Sequence, residues 1–186
     1  MKFRKSLYFL MIFPILIIVA ACAGLPTSKV GTHPPIITHT FAVERGQYGS
    51  VWKFYIEAED PDGDMYRIAS VADQIGKGFY PPDWINIKPE YRKKFKGYIQ
   101  WNTFSPLAGS MREWTNLVLK VSIVDKAGNY SNEVIFPLTF ESGLPDPEAY
   151  KPPAPFDQGT VAKMGNVFID LIDPTLTNAL APPDRW

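Results

Sequence analysis

Three stretches of this sequence alternate apolar and polar residues with a period of two, and that repeat constrains the fold more than anything else in the chain. In VWKFYIEA, Trp52, Phe54, Ile56 and Ala58 fall on one face while Lys53, Tyr55 and Glu57 fall on the other. In NLVLKVSIVD, Leu117, Leu119, Val121 and Ile123 alternate with Val118, Lys120 and Ser122, and in EVIFPLTF, Val134, Phe136, Leu138 and Phe140 do the same. Successive side chains of a strand point to opposite faces, whereas a helix would scatter these residues around its circumference. The three runs are therefore read as half-buried strands. Further strands are expected at 36–44, 65–73 and 97–103, with a short one at 84–88. Pro137 falls on the outward register of its run, which suits an edge strand or a bulge. Six or seven strands over roughly 110 residues, separated by turn signals, predict an all-β fold, a two-sheet antiparallel β-sandwich.

The flanks differ from this middle. Lys2, Arg4 and Lys5 precede an apolar stretch from Leu7 to Ala21. That is the layout of a secretory signal, to be set aside from the fold. The stretch contains Pro14 and falls short of the roughly 20 residues that a spanning helix needs. Val19-Ala20-Ala21 lead into Cys22, the only cysteine. This resembles the bacterial lipobox, and the resemblance implies that residues 1–21 are a lipoprotein signal peptide and that Cys22 becomes a lipidated N-terminus. Acyl chains, at about 0.8 kcal/mol per buried CH₂, would then hold the protein on a membrane. Ala23, in place of the aspartate that retains such proteins in the inner membrane, implies the outer membrane of a two-membrane bacterium, on its periplasmic or surface face. Three of the 19 basic residues and none of the 19 acidic ones lie in the signal, so the processed chain has a net charge of about −3, which argues against nucleic acid as a partner. With one cysteine, assigned to the anchor, the fold has no disulfide.

Residues 22–34 read as a lipidated tether, 35–142 as the sandwich and 143–186 as a proline-rich tail, which holds eight of the chain's 18 prolines. Inside the tail lies an apolar island at 161–172. As a helix it aligns Val161, Met164, Phe168, Leu171 and Ile172; as a strand it aligns Val167, Ile169 and Leu171. Both readings stay open, as do packing back on the sandwich and docking on a partner.

Ala58-Glu59-Asp60-Pro61-Asp62-Gly63-Asp64, paired with Val124-Asp125-Lys126-Ala127-Gly128-Asn129-Tyr130-Ser131, resembles the bacterial immunoglobulin-like and cadherin-like domains of secreted proteins. The likeness covers about 35–142 and implies an immunoglobulin-like sandwich of about seven strands. The two acidic turns would be the B–C and F–G loops, which share one end of such a fold. The chain is expected to reverse at Asp62-Gly63 as a hairpin. Calcium takes six to eight oxygen ligands, often from carboxylates at alternate turn positions. Asp60, Asp62, Asp64 and Asp125, with Asn129 or a backbone carbonyl, are candidate calcium ligands, although Val71 stands where an EF-hand carries glutamate. The same residues form turns without any metal, because glycine accepts positive φ and aspartate bonds its own backbone.

The stretch 74–97 reads as a long irregular segment in which Trp84 and Tyr91 stand among Arg92, Lys93 and Lys94, a candidate contact surface for anionic headgroups or acidic glycans. Phe168 and Leu171 of the island are candidate partner contacts. Trp84, Trp101 and Trp114 are a candidate sugar-stacking set, with Trp101 expected to pack inward. His33 and His39 have no neighbours at zinc-ligand spacing. The chain carries no Gly-x-Ser-x-Gly elbow, no phosphate-cradling glycine loop and no marked acid–base pair, so it is read as non-enzymatic. The expected function is an envelope lipoprotein presenting an immunoglobulin-like domain for protein–protein contact. The alternatives are a carbohydrate or anionic-glycan binding module and a structural subunit of a larger envelope assembly.

Overall fold

In the computed structural model the described residues are 31–106, 108, 115–142 and 150–172. The chain divides into two units, Met1–Val30 and Gly31–Trp186, and every described residue belongs to the second. Cys22, the expected lipidation site, and Trp114 lie outside the described residues. Among the described residues no helix is long and apolar enough to cross a membrane.

The strands among the described residues are, in chain order, β1 (Ile36–Phe41), β2 (Arg45–Gly46), β3 (Val51–Glu59), β4 (Met65–Gln74), β5 (Gly78–Phe79), β6 (Asp83–Asn86), β7 (Lys94–Asn102), β8 (Asn116–Asp125), β9 (Val134–Phe140) and β10 (Ala162–Val167). Sheet A has the order β1-β3-β7-β10, and sheet B has the order β2-β9-β8-β4-β5 with β6 also on β4. The period-two residues of β3, β8 and β9 meet in the middle, where Phe54 and Phe136 join the two sheets edge to face at 5.2 Å. Each such fully buried side chain contributes about 1.5–3 kcal/mol by leaving water. Strands β1, β3 and β7 stand where A, B and E stand in an immunoglobulin-like sandwich, and β4, β8 and β9 stand where C, F and G do.

Three expectations change. Strands β3 and β4 lie in different sheets, so the acidic turn carries the chain across the sandwich and is not a hairpin. The stretch 74–97 is not irregular: it forms β5, β6, a single 3₁₀ turn at Pro89–Tyr91 and the start of β7, which begins three residues before the expected 97. The sandwich also does not end at 142. Strand β10 lies parallel to β7 at the D position, pairing Ala162 with Gly97 and Val167 with Trp101. The island is thus a strand packed into the domain.

Polar locks hold the residues just after β10. Trp101 Nε1 donates to Ile169 O at 3.0 Å, and Gln74 Nε2 donates to Ile172 O at 3.2 Å. Ile172 N donates to Tyr80 Oη at 2.9 Å, and Tyr80 in turn donates to Gln74 Oε1. The proline-rich approach is fixed by Lys96 Nζ, which donates to Pro155 O and Gln158 O, both at 3.0 Å.

Sheet edges are blunted in ways the sequence partly announced. On β9 the amides of Thr139 and Glu141 point outward to Glu44 O and Gly46 O. Pro137 shares that parity, so the proline removes an outward N–H that another chain would otherwise use. On β1 the Asn132 side chain accepts from Ile37 N at 2.9 Å and donates to Ile37 O at 3.1 Å, which closes that edge locally.

Candidate binding site

The two acidic turns are neighbours, as expected of loops at one end of a sandwich: Lys126 N donates to Asp64 O at 3.1 Å, and Met65 stands opposite Asp125 in the β4–β8 ladder. Their carboxylates serve the backbone. Buried Asp60 accepts from Asp62 N at 2.9 Å and from Asp64 N at 3.1 Å, which bends the turn around Gly63 at φ +73°. Asp62 turns away and accepts from Thr32 N at 2.8 Å and His33 N at 2.7 Å, with the His33 ring 3.1 Å away. Asp64 accepts from Gly31 N at 3.2 Å. Asp125 takes both the backbone N–H and the side-chain amide of Asn129 at 2.8 Å. The turn therefore clamps the segment through which the chain enters the domain.

The electrostatics of two of these residues diverge. The His33 N–H holds the Asp62 carboxyl below the usual carboxylate range. Burial pushes the Asp64 carboxyl up, and the neighbouring Asp60 and Asp125 charges add to it against the favourable Gly31 N–H. Among the described residues no three His, Cys, Asp or Glu side chains are grouped to hold a metal ion. Asp62 faces the entry segment, both oxygens of Asp60 and of Asp125 accept N–H groups, and the buried Asp64 Oδ1 has no hydrogen-bond partner among the described residues.

The basic and aromatic residues of 74–97 do not gather into one surface. Lys94 Nζ lies 3.5 Å from Glu57 and 3.6 Å from Glu59. Lys93 packs beside Gly63, and Arg92 Nε donates to Ile87 O at 3.4 Å. Tyr91 is half-buried against the core, and Trp84 stands partly exposed on β6. Trp101 is fully buried, as expected, so it offers no stacking surface. Leu171 is also fully buried and takes no part in contact, because the strand reading puts it under the sheet; Phe168, by contrast, is 78% exposed.

A different site is built on the outer face of sheet A. Alternation on β7 turns Tyr98, Gln100 and Asn102 outward, opposite the buried Ile99 and Trp101. Asn166 stands beside Gln100 on β10. Gln100, Asn102 and Asn166, together with Phe104, Phe168 and Asp170, line a groove of about 330 Å³. A second hollow of about 270 Å³ opens where β1 leaves the sheet, walled by Trp52, Tyr55 and Tyr150 with Lys53 at its rim. Between the two, Lys53 Nζ lies 5.1 Å over the Tyr98 ring, and Tyr98 meets Tyr55 at 5.7 Å. Sequence reasoning named only Phe168 here. The outward Gln100 and Asn102 were readable in KFKGYIQWN, but nothing local placed Asn166 beside them.

Strand order and core together define the class: an immunoglobulin-like β-sandwich module. No protein-family model matches the sequence, and no curated protein does. Among solved structures the chain is similar to the CARDB domain of a Pyrococcus furiosus protein crystallised with di-metal ions. The identity is 7%, the match covers 59% of this chain and 94% of that one, and the TM-score is 0.34. A likeness that distant carries no argument about function.

Proposed function

We propose that this chain is a non-enzymatic binding module of a bacterial envelope, anchored through a lipid on Cys22 and acting by contact with another envelope component through the outer face of sheet A. The observation that carries this reading is the pair of exposed rings, Phe104 and Phe168, standing over a groove whose floor is amide side chains. Aromatic residues are enriched at contact surfaces, whereas single scattered apolar residues carry no such signal. The lipobox-like Val19-Ala20-Ala21-Cys22 supports the anchor.

Because β10 is the edge strand that completes sheet A beside β7, cutting the chain at 142 would remove part of the domain along with the tail. The test therefore uses the full chain. With Cys22→Ala the protein should leave the detergent phase of a Triton X-114 partition, which reports the acyl chains, yet the purified variant should still co-sediment with isolated envelope fragments. Adding Phe168→Ala should abolish that co-sedimentation. Binding that is absent, or indifferent to Phe168→Ala, would overturn the contact reading. Cys22→Ala that stays in the detergent phase would overturn the anchor.

A further inference from the structure

The groove on β7 and β10 presents its rings from fixed backbone. Phe168 lies between Val167 and Ile169, both buried, and its N–H donates to Asp83 Oδ2 at 3.0 Å. Phe104 lies between Thr103 and Ser105, both buried, and its N–H donates to Asn102 Oδ1 at 3.1 Å. Each ring is thus held out by a buried–exposed–buried register, at 57% exposure for Phe104 and 78% for Phe168. Between them the side chains of Gln100, Asn166 and Asp170 make no hydrogen bond with any described residue, and the Asn102 Nδ2 donors are likewise uncommitted.

That set of groups selects a ligand chemistry. Planar amides donate and accept in one plane, a carboxylate accepts, and flat aromatic faces cover apolar C–H surface. Among the described residues no lysine or arginine lines the groove, and Asp170 adds a negative charge, which disfavours phosphates, nucleic acid and acidic glycans. The backbone groups of β7 and β10 that face one another are spent in their shared ladder, so a peptide strand finds no edge to extend between them. A neutral saccharide has the remaining complement: C–H faces for the rings, and hydroxyls that both donate and accept for the amides and the carboxylate. A groove of about 330 Å³ is at the small end of the range for ligand sites, about 300–1,000 Å³.

We propose that this groove binds a neutral saccharide chain, seated between Phe104 and Phe168 and hydrogen-bonded by Gln100, Asn102, Asn166 and Asp170. The proposal rests on sheet A being the contact face and names the ligand of that face.

The full chain, purified in a detergent without a sugar headgroup, is titrated calorimetrically with cellotetraose, maltotetraose and chitotetraose to about 10 mM, the range in which weak Kd values are read. At least one should bind. Phe168→Ala and Asn166→Ala should each weaken it by roughly tenfold or more, while Phe79→Ala, an exposed ring on sheet B, should leave it unchanged. Circular dichroism melts of each variant separate lost binding from lost folding. Silence with all three sugars while envelope co-sedimentation persists would overturn the saccharide assignment and leave the contact face intact. Sugar binding unmoved by the Phe168 and Asn166 variants would overturn the groove.

Discussion

The docking of β10 on β7 can be tested at one glycine. Gly97 faces inward opposite Ile56, at a position where the flanking Phe95 and Ile99 are core residues. A β-bulge in β10 explains the missing side chain: Lys163 pairs with Tyr98 and Gly165 with Ile99, so Met164 is the extra residue. A Cβ at position 97 would stand 2.7 Å from Met164 Cγ and 2.8 Å from both Met164 Sδ and Ala162 O. The thioether can swing aside, but the carbonyl belongs to the β10 backbone, so Gly97→Ala must push the strand outward. Overpacking of this kind costs about 1–3 kcal/mol, against a gain of about 0.4–1 kcal/mol from stiffening the unfolded chain. The net loss of about 1–2 kcal/mol should lower Tm by about 2–8 °C in a chain of this length. Amide exchange should rise across 162–172 before it rises in β8. Combining Gly97→Ala with Met164→Ala should restore part of the loss, leaving a coupling energy above about 0.5 kcal/mol. An unchanged Tm, or strictly additive losses, would refute the seating of Met164 over Gly97.

Two further predictions concern the tail and the acidic turn. Leu171→Ala should cost about 2–5 kcal/mol in thermal or denaturant unfolding, the range for a fully buried leucine; a loss below about 0.5 kcal/mol would mean that the segment after β10 does not belong to the core. Asp62 and Asp64 should shift stability with pH in opposite directions. Asp62, held down by the His33 N–H, stabilises the fold above its unfolded pKa of about 3.9, and that contribution is lost as pH falls through the lowered value. Asp64, pushed up first by burial, costs stability as pH rises from about 3.9 through its raised value. Melts should therefore show Asp64→Asn stabilising and Asp62→Asn destabilising at neutral pH, with both differences fading in acid. A stabilising Asp62→Asn would contradict the clamp on residues 32 and 33.

How much of the fold was legible depends on where each strand's partners lie. Strands β3, β8 and β9 could be read directly because each has one wet face, so their alternation is complete within the segment. Strand β7 was read late because Lys94 and Lys96 alternate with Phe95 and an inward glycine, and a core glycine carries no apolar signal. Strand β10, AKMGNV, has almost no pattern of its own. Its core contribution is Val167 at its end and Met164 filling the gap over Gly97, while Gly165 yields room to Ile85, whose Cγ2 would lie 2.5 Å from any added Cβ. Both complements are about 65 to 80 residues distant along the chain, and no local periodicity encodes them. The acidic turns were legible as neighbours but not in their use, since the N–H groups that claim Asp62 and Asp64 come from residues 31–33.

The placement of β10 is explained by how residues 87–93 are spent. An immunoglobulin-like sandwich ordinarily draws its D strand from the segment before E. Here that segment runs through the 3₁₀ turn at Pro89–Tyr91 and then braces the acidic turn, with Arg92 O accepting from Met65 N at 3.1 Å and Lys93 O accepting from Asp60 N at 2.9 Å. No residues remain to form D, which would leave β7 with a nine-residue open edge beside the buried Trp101. An open edge of that length is a template for aggregation. The chain closes it with a strand from beyond β9, joined in parallel because it arrives from the other sheet through the proline-rich segment. The same substitution places Asn166 and Phe168 next to Gln100 and Asn102, so the element that completes the sheet also builds one wall of the groove.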